Sequence, residues 1–174
     1  MKSDIINIDN QGNGFREALT QTEKSAEFRD LSHKEALQLR LCTEEMLSLA
    51  RSVTGEVKAD FWLESEGKRF TMHLSTETVM DREKRNNLIA SASSHKNEAA
   101  NTFLGRLRNA FEEAMVSEAN TEIPDEALDD TINRSIEIPE WDEYEQSILR
   151  KAADDVKIAI RGGRVEMTVA KSFE

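Results

Sequence analysis

The sequence predicts an α+β fold: a two-layer α/β sandwich in which a mixed, mostly antiparallel sheet carries its helices on one face. Three observations lead there. Short segments alternate apolar and polar residues, with one face apolar and the other mostly polar, which suits a sheet covered on one side only. Two longer segments, 32–53 and 98–115, repeat apolar residues at helical spacing. The 174 residues suffice for one domain with a sizeable core.

Taken in order, Ile5, Ile6 and Ile8 predict a short first strand, ended by the loop-forming Asp9-Asn10-Gln11-Gly12-Asn13-Gly14. A helix follows with Phe15, Leu19, Thr22 and Ala26 on one face and Phe28 nearby; its weak stripe predicts partial burial. The main helix, 32–53, has the clearest stripe: Leu39, Cys42, Met46, Leu49, Ala50 and Val53. Ser32 followed by Glu35 is a capping box, and Thr54-Gly55 supplies a stop. Leu49 and Cys42 are expected to be buried.

Val57, Ala59, Phe61 and Leu63 then alternate with polar neighbours, as do Phe70, Met72 and Leu74, so 64–68 joins two strands as a hairpin. A short helix begins near Asp81, a loop covers 91–97, and a second strong helix is expected over 98–115, with Ala100, Phe103, Leu104, Leu107, Phe111 and Ala114 inward. An acidic insert or linker of the single domain occupies about 117–140 and holds both prolines. Residues 141–151 read as a helix. Two alternating segments around Gly162-Gly163 close the chain as a hairpin.

The net charge is −11, unevenly placed. Residues 112–145 hold 13 acidic residues and one basic residue, Arg134, which leaves the rest at +1. An acidic stretch repels nucleic acid, and no basic patch with interleaved aromatics offsets it, so no nucleic-acid partner is expected. No apolar run is long enough to span a bilayer, and the first residues lack the apolar core of a signal peptide. No membrane partner is expected, and the predicted compartment is the cytoplasm. The single cysteine, Cys42, reads as a small core hydrophobe. His33, His73 and His95 have no metal-ligand spacing, so no metal site is expected.

Leu41-Cys42-Thr43-Glu44-Glu45-Met46-Leu47-Ser48-Leu49 resembles the N-box helix of histidine-kinase-like ATPases, in particular of the bacterial anti-sigma-factor serine kinases. Asp154-Asp155-Val156, Gly162-Gly163-Arg164-Val165 and Lys171-Ser172-Phe173 resemble the closing hairpin of the same group. The resemblance implies that Glu45 stands at the general-base position. It also places Leu49 on the asparagine that holds magnesium in working members; leucine offers no oxygen to a hard cation. Ser48 is near but in the wrong register. Glu77 or Asp81 would stand where the adenine-reading aspartate does. The glycines that let backbone N–H groups approach phosphates are missing, since no glycine lies between Gly67 and Gly105.

The resemblance therefore implies a degenerate scaffold: a non-catalytic or atypical bacterial regulatory module that signals by binding a protein partner, with a homodimer left open and no cofactor expected. One alternative is an ATP-binding serine kinase using Mg-ATP, for which Glu45 speaks. Another is an unrelated α+β binding scaffold.

Overall fold

The computed structural model describes residues 1–9, 11–54, 58–100 and 143–174. Strand β1 (Ile6–Ile8) leads to helices α1 (Phe15–Phe28) and α2 (His33–Thr54). The hairpin of β2 (Ala59–Glu66) and β3 (Arg69–Glu77) follows, then α3 (Arg82–Ser91) and one 3-10 turn (Glu98–Ala100). Helix α4 (Glu143–Ala152) and the hairpin of β4 (Asp155–Arg161) and β5 (Arg164–Ser172) complete it. The five strands lie in the order β1-β2-β3-β5-β4. Every pairing between these strands is antiparallel. Among the described residues a parallel contact occurs as an isolated bridge, Asn97 to Ile158.

Register explains the two layers. Ile6, Phe61, Leu74, Met167 and Ile158 lie opposite one another across all five strands. All five are buried, because with a side-chain period of 2 a whole row faces the same way. Helices α1, α2, α3 and α4 pack over this row. Burying one such Leu, Phe or Met contributes about 1.5–3 kcal/mol, which fixes the register against a one-residue slip. The other face carries Asn7, Asp60, Trp62, Glu64, His73, Glu166 and Lys157 and has no helix on it among the described residues.

Helix α2 begins as its capping box predicts. Ser32 Oγ accepts from Glu35 N at 3.4 Å, and Glu35 Oε2 accepts from Ser32 N at 2.7 Å. Helix α1 departs from expectation. Ala18, Thr22, Ser25 and Ala26 are fully buried, whereas Phe28 is 66 % exposed. Its inner face is built of small residues that let it approach α2 closely, so a hydrophobicity pattern understates its burial. Thr22 and Thr43 hydroxyls meet at 3.1 Å across that contact, and Thr22 also donates to Ala18 O at 2.8 Å.

Gly14 opens α1 with φ +81°. A Cβ there would collide with the Asn7 carbonyl, so only glycine fits. Asp9 holds the preceding loop by accepting from Gln11 N and Asn13 N at 2.9 and 3.0 Å. The strands run longer than their apolar cores suggest: β2 reaches Glu66 and β3 starts at Arg69, leaving only Gly67-Lys68 as the turn where a 64–68 connection is expected. Val57 lies outside the described residues. So do most of the 98–115 helix, of which only the 3-10 turn at Glu98–Ala100 is described, and the acidic insert at 117–140.

The free edge of β4 is covered by the segment after α3. Ser93 N donates to Val156 O, and Val156 N donates to Ser93 Oγ, both at 2.8 Å. The Asn97 side chain does the same for Ile160: Nδ2 donates to its carbonyl at 2.9 Å and Oδ1 accepts from its N–H at 2.8 Å. A side-chain amide thus takes the place of a neighbouring strand and closes a sticky edge.

Candidate functional site

Helix α2 lies between α1 and α4 and touches both. At 100° per residue, Arg40, Thr43 and Leu47 point to one flank, where Arg40 meets Glu23 of α1 at 2.8 Å. Cys42, Glu45 and Leu49 point to the opposite flank. α4 packs along α2, and its Leu149 is buried. Glu45 and Leu49 are therefore one turn apart on the same side, as a paired site requires.

Burial separates the members of this group. Cys42 is fully buried, as expected, and burial pushes its thiol up to about 11, so it is an inert core group rather than a nucleophile. Glu45 is half-buried. Leu49, expected to be buried, is only half-buried, packed on the rim of the core. The reason is position: its direction lies about 80° from Leu39 at the centre of the buried stripe. Ser48 is exposed, turned about 60° from Glu45 and 100° from Leu49 toward the outer side of α2.

The acids expected on the far side of the site have other positions. Asp81 is the N-cap of α3: its Oδ1 accepts from Lys84 N at 2.8 Å, and Lys84 Nζ lies 3.9 Å from its Oδ2. Glu77 ends β3, exposed, opposite Arg164 of β5. It lines two open grooves at that end of the sheet. One, of about 670 Å³, also takes in Asn7, Asp9, Lys58, Asp60 and Arg164. The other, of about 580 Å³, takes in Thr78, Val79, Arg161, Gly163 and Arg164. Neither groove includes Glu45, Ser48, Leu49 or Asp81. The chain from β3 into α3 is only Thr78-Val79-Met80-Asp81, held to the last hairpin by Thr78 N donating to Gly163 O at 2.8 Å.

These positions do not fit Mg-ATP. Leu49 supplies no oxygen, Asp81 is engaged by its own helix start, and the β3–α3 connection has no glycine to bring N–H groups onto a phosphate. Among the described residues no group of three or more His, Cys, Asp and Glu is placed to hold a metal ion.

No model of a known protein family matches the chain, and no curated protein matches it. Among the described helices none is long and apolar enough to cross a membrane.

Sequence reasoning passes over two features. Asn97 gives no motif, because its role depends on where β4 ends up. The pair Trp62 and His73 had a signal: a tryptophan on the polar side of an alternating strand is a large apolar ring with no core to enter.

Proposed function

We propose that this protein is a bacterial regulatory module on a degenerate histidine-kinase-like ATPase scaffold, acting by binding a protein partner rather than by phosphoryl transfer. The observation that carries this reading is Leu49. One turn beyond Glu45, it packs on the core rim where the resemblance requires a magnesium-holding oxygen. Supporting it are the order strand, two helices, hairpin, helix, helix, hairpin, and helices gathered on one sheet face. Phosphoryl transfer depends on positioning and on metal-assisted neutralisation of charge. Glu45 without a held phosphate has no group to act on.

The test pairs isothermal titration with Mg-ATP and a phosphate-release assay on the natural protein and on Glu45→Ala. Absence of saturable binding at millimolar nucleotide, with no Glu45-dependent release, is the expected result. Saturable binding together with turnover lost in Glu45→Ala would replace this reading with an atypical serine kinase.

A further inference from the structure

The open sheet face carries a cluster that the functional reading leaves unused. Register sets Trp62 of β2 directly opposite His73 of β3, and their rings stack with centroids 4.9 Å apart and planes 7° from parallel. Lys2 bridges to Glu64 alongside β2. Its ammonium lies 5.3 Å from the Trp62 ring centroid and 3.1 Å from Glu64 Oε1. The other carboxylate oxygen, Glu64 Oε2, is 3.8 Å from His73 Nε2. Thr168 Oγ is 3.5 Å from His73 Nδ1.

His73 Nε2 and Trp62 Nε1 are shielded from water; Nε2 has no hydrogen-bond partner, and the indole N–H faces the Glu64 carboxylate, which it helps to hold low. Buried polar atoms are normally paired, so the bare Nε2 needs an explanation. Neutral imidazole carries one N–H. That proton sits on Nδ1, facing Thr168, or on Nε2, facing Glu64, with Nδ1 then accepting from the Thr168 hydroxyl; either way the ring is uncharged. A second proton makes both nitrogens donors and sets a positive charge against Glu64.

Three other charged groups on this face are engaged elsewhere, and Glu64 and Lys2 are the charges that weigh on His73. Asp60 accepts from Asn7 at 2.6 Å, Glu166 lies 3.3 Å from Arg164, and Lys157 lies 3.3 Å from Asp155. Glu64 can answer His73 because its present partner, Lys2, is an exposed ammonium that occupies only one of its two oxygens.

We infer that Lys2, Trp62, Glu64 and His73 form a proton-operated switch on the open face of the sheet. When His73 takes up a proton, Nε2 donates to Glu64 Oε2, the carboxylate is shared between His73 and Lys2, and the indole gains a cation on its His73 side. Lys2 then lies over the same indole with a weaker hold on its carboxylate. The neighbouring Ser3, tied to Leu63 by Ser3 N to Leu63 O at 2.8 Å and Leu63 N to Ser3 Oγ at 2.9 Å, loosens with it. Burial holds His73 below the free-imidazole range, Glu64 opposes that, and Lys2 adds to it, so each neighbour has a defined sign.

The protein has two tryptophans, so Trp141→Phe leaves Trp62 as the sole reporter. Its emission, followed from about pH 8 to pH 5, is expected to fall in one step as the imidazolium quenches the stacked indole. In this background His73→Gln abolishes the step, Lys2→Ala moves its midpoint up, and Glu64→Gln moves it down. Amide exchange at Leu63 accelerates over the same step. Emission that does not change with pH, a step that survives His73→Gln, or midpoints that fail to move in opposite directions would overturn the inference. If His73→Gln does not fold, the His73 ring proton followed by NMR in the Trp141→Phe protein decides: coincidence with the emission midpoint supports the switch, and a mismatch overturns it.

Discussion

Replacing Asn97 with alanine tests whether a side chain closes the sheet. Asn97 is 5 % exposed and serves both backbone groups of Ile160, at 2.8 and 2.9 Å, as well as Ala99 N at 3.1 Å. Each of the two Ile160 bonds is worth about 1 kcal/mol net, and an Ile160 N–H left without a partner at a buried residue adds about 1–2 kcal/mol. The expected loss is therefore about 2–4 kcal/mol. At about 2–4 °C per kcal/mol for a chain of this size, that lowers Tm by roughly 5–15 °C. Urea unfolding followed by far-UV circular dichroism measures it. Asn97→Asp keeps the acceptor for Ile160 N but sets a charge against Ile160 O, so it is expected to lose at least as much. The alanine variant also uncovers the β4 edge, and its self-association should rise with concentration. A loss below about 0.5 kcal/mol would refute the reasoning, since it would mean that water replaces the amide without cost.

Four further outcomes follow from the same geometry. Leu49→Asn is expected to cost about 1–2 kcal/mol of stability, less than at a fully buried position, and to confer no Mg-ATP binding by titration; saturable binding in that variant would show a cleft needing only the missing oxygen. Gly14→Ala, which forces a Cβ at φ +81° against the Asn7 carbonyl, is expected to lose more than the 1–2 kcal/mol typical of a left-handed non-glycine residue, measured by urea unfolding. Acid should destabilise the protein in two stages. His73 is held low by burial, so the unfolded chain binds its proton first and stability falls as pH drops through the imidazole range, a stage that His73→Gln removes. Asp9 is held low by Asn13, Glu35 by Ser32 and Glu64 by Lys2; Asp154 is also low, where partial burial is outweighed by Lys171 and Ser172 N. Their contribution is present above the ordinary carboxylate range and lost as pH falls through it to the lowered folded values, which thermal melts across pH would record as the second stage.

The sequence by itself determined the layers. Alternation in 59–63, 70–74 and around Gly162-Gly163 set strands with one buried face, because the side-chain period of a strand is 2 whatever its neighbours do. Ser32 and Glu35 set the start of α2 through bonds made within four residues, and Asp81 set that of α3 in the same way. Glu45 and Leu49 were placed one turn apart by helical pitch alone. What tertiary structure decided was everything that depends on a distant partner. The small inner face of α1 is buried only because α2 and the sheet stand against it. Leu49 stops at half-burial because the centre of the core lies toward Leu39. Asp81 and Glu77, neighbours in sequence, serve a helix cap and a sheet end instead of one site. Asn97 meets Ile160, 63 residues away, and Trp62 meets His73, only after the strands have found their register. Local bonds are written in the spacing of residues; a contact between strands is written in how the whole sheet pairs, which no short stretch contains.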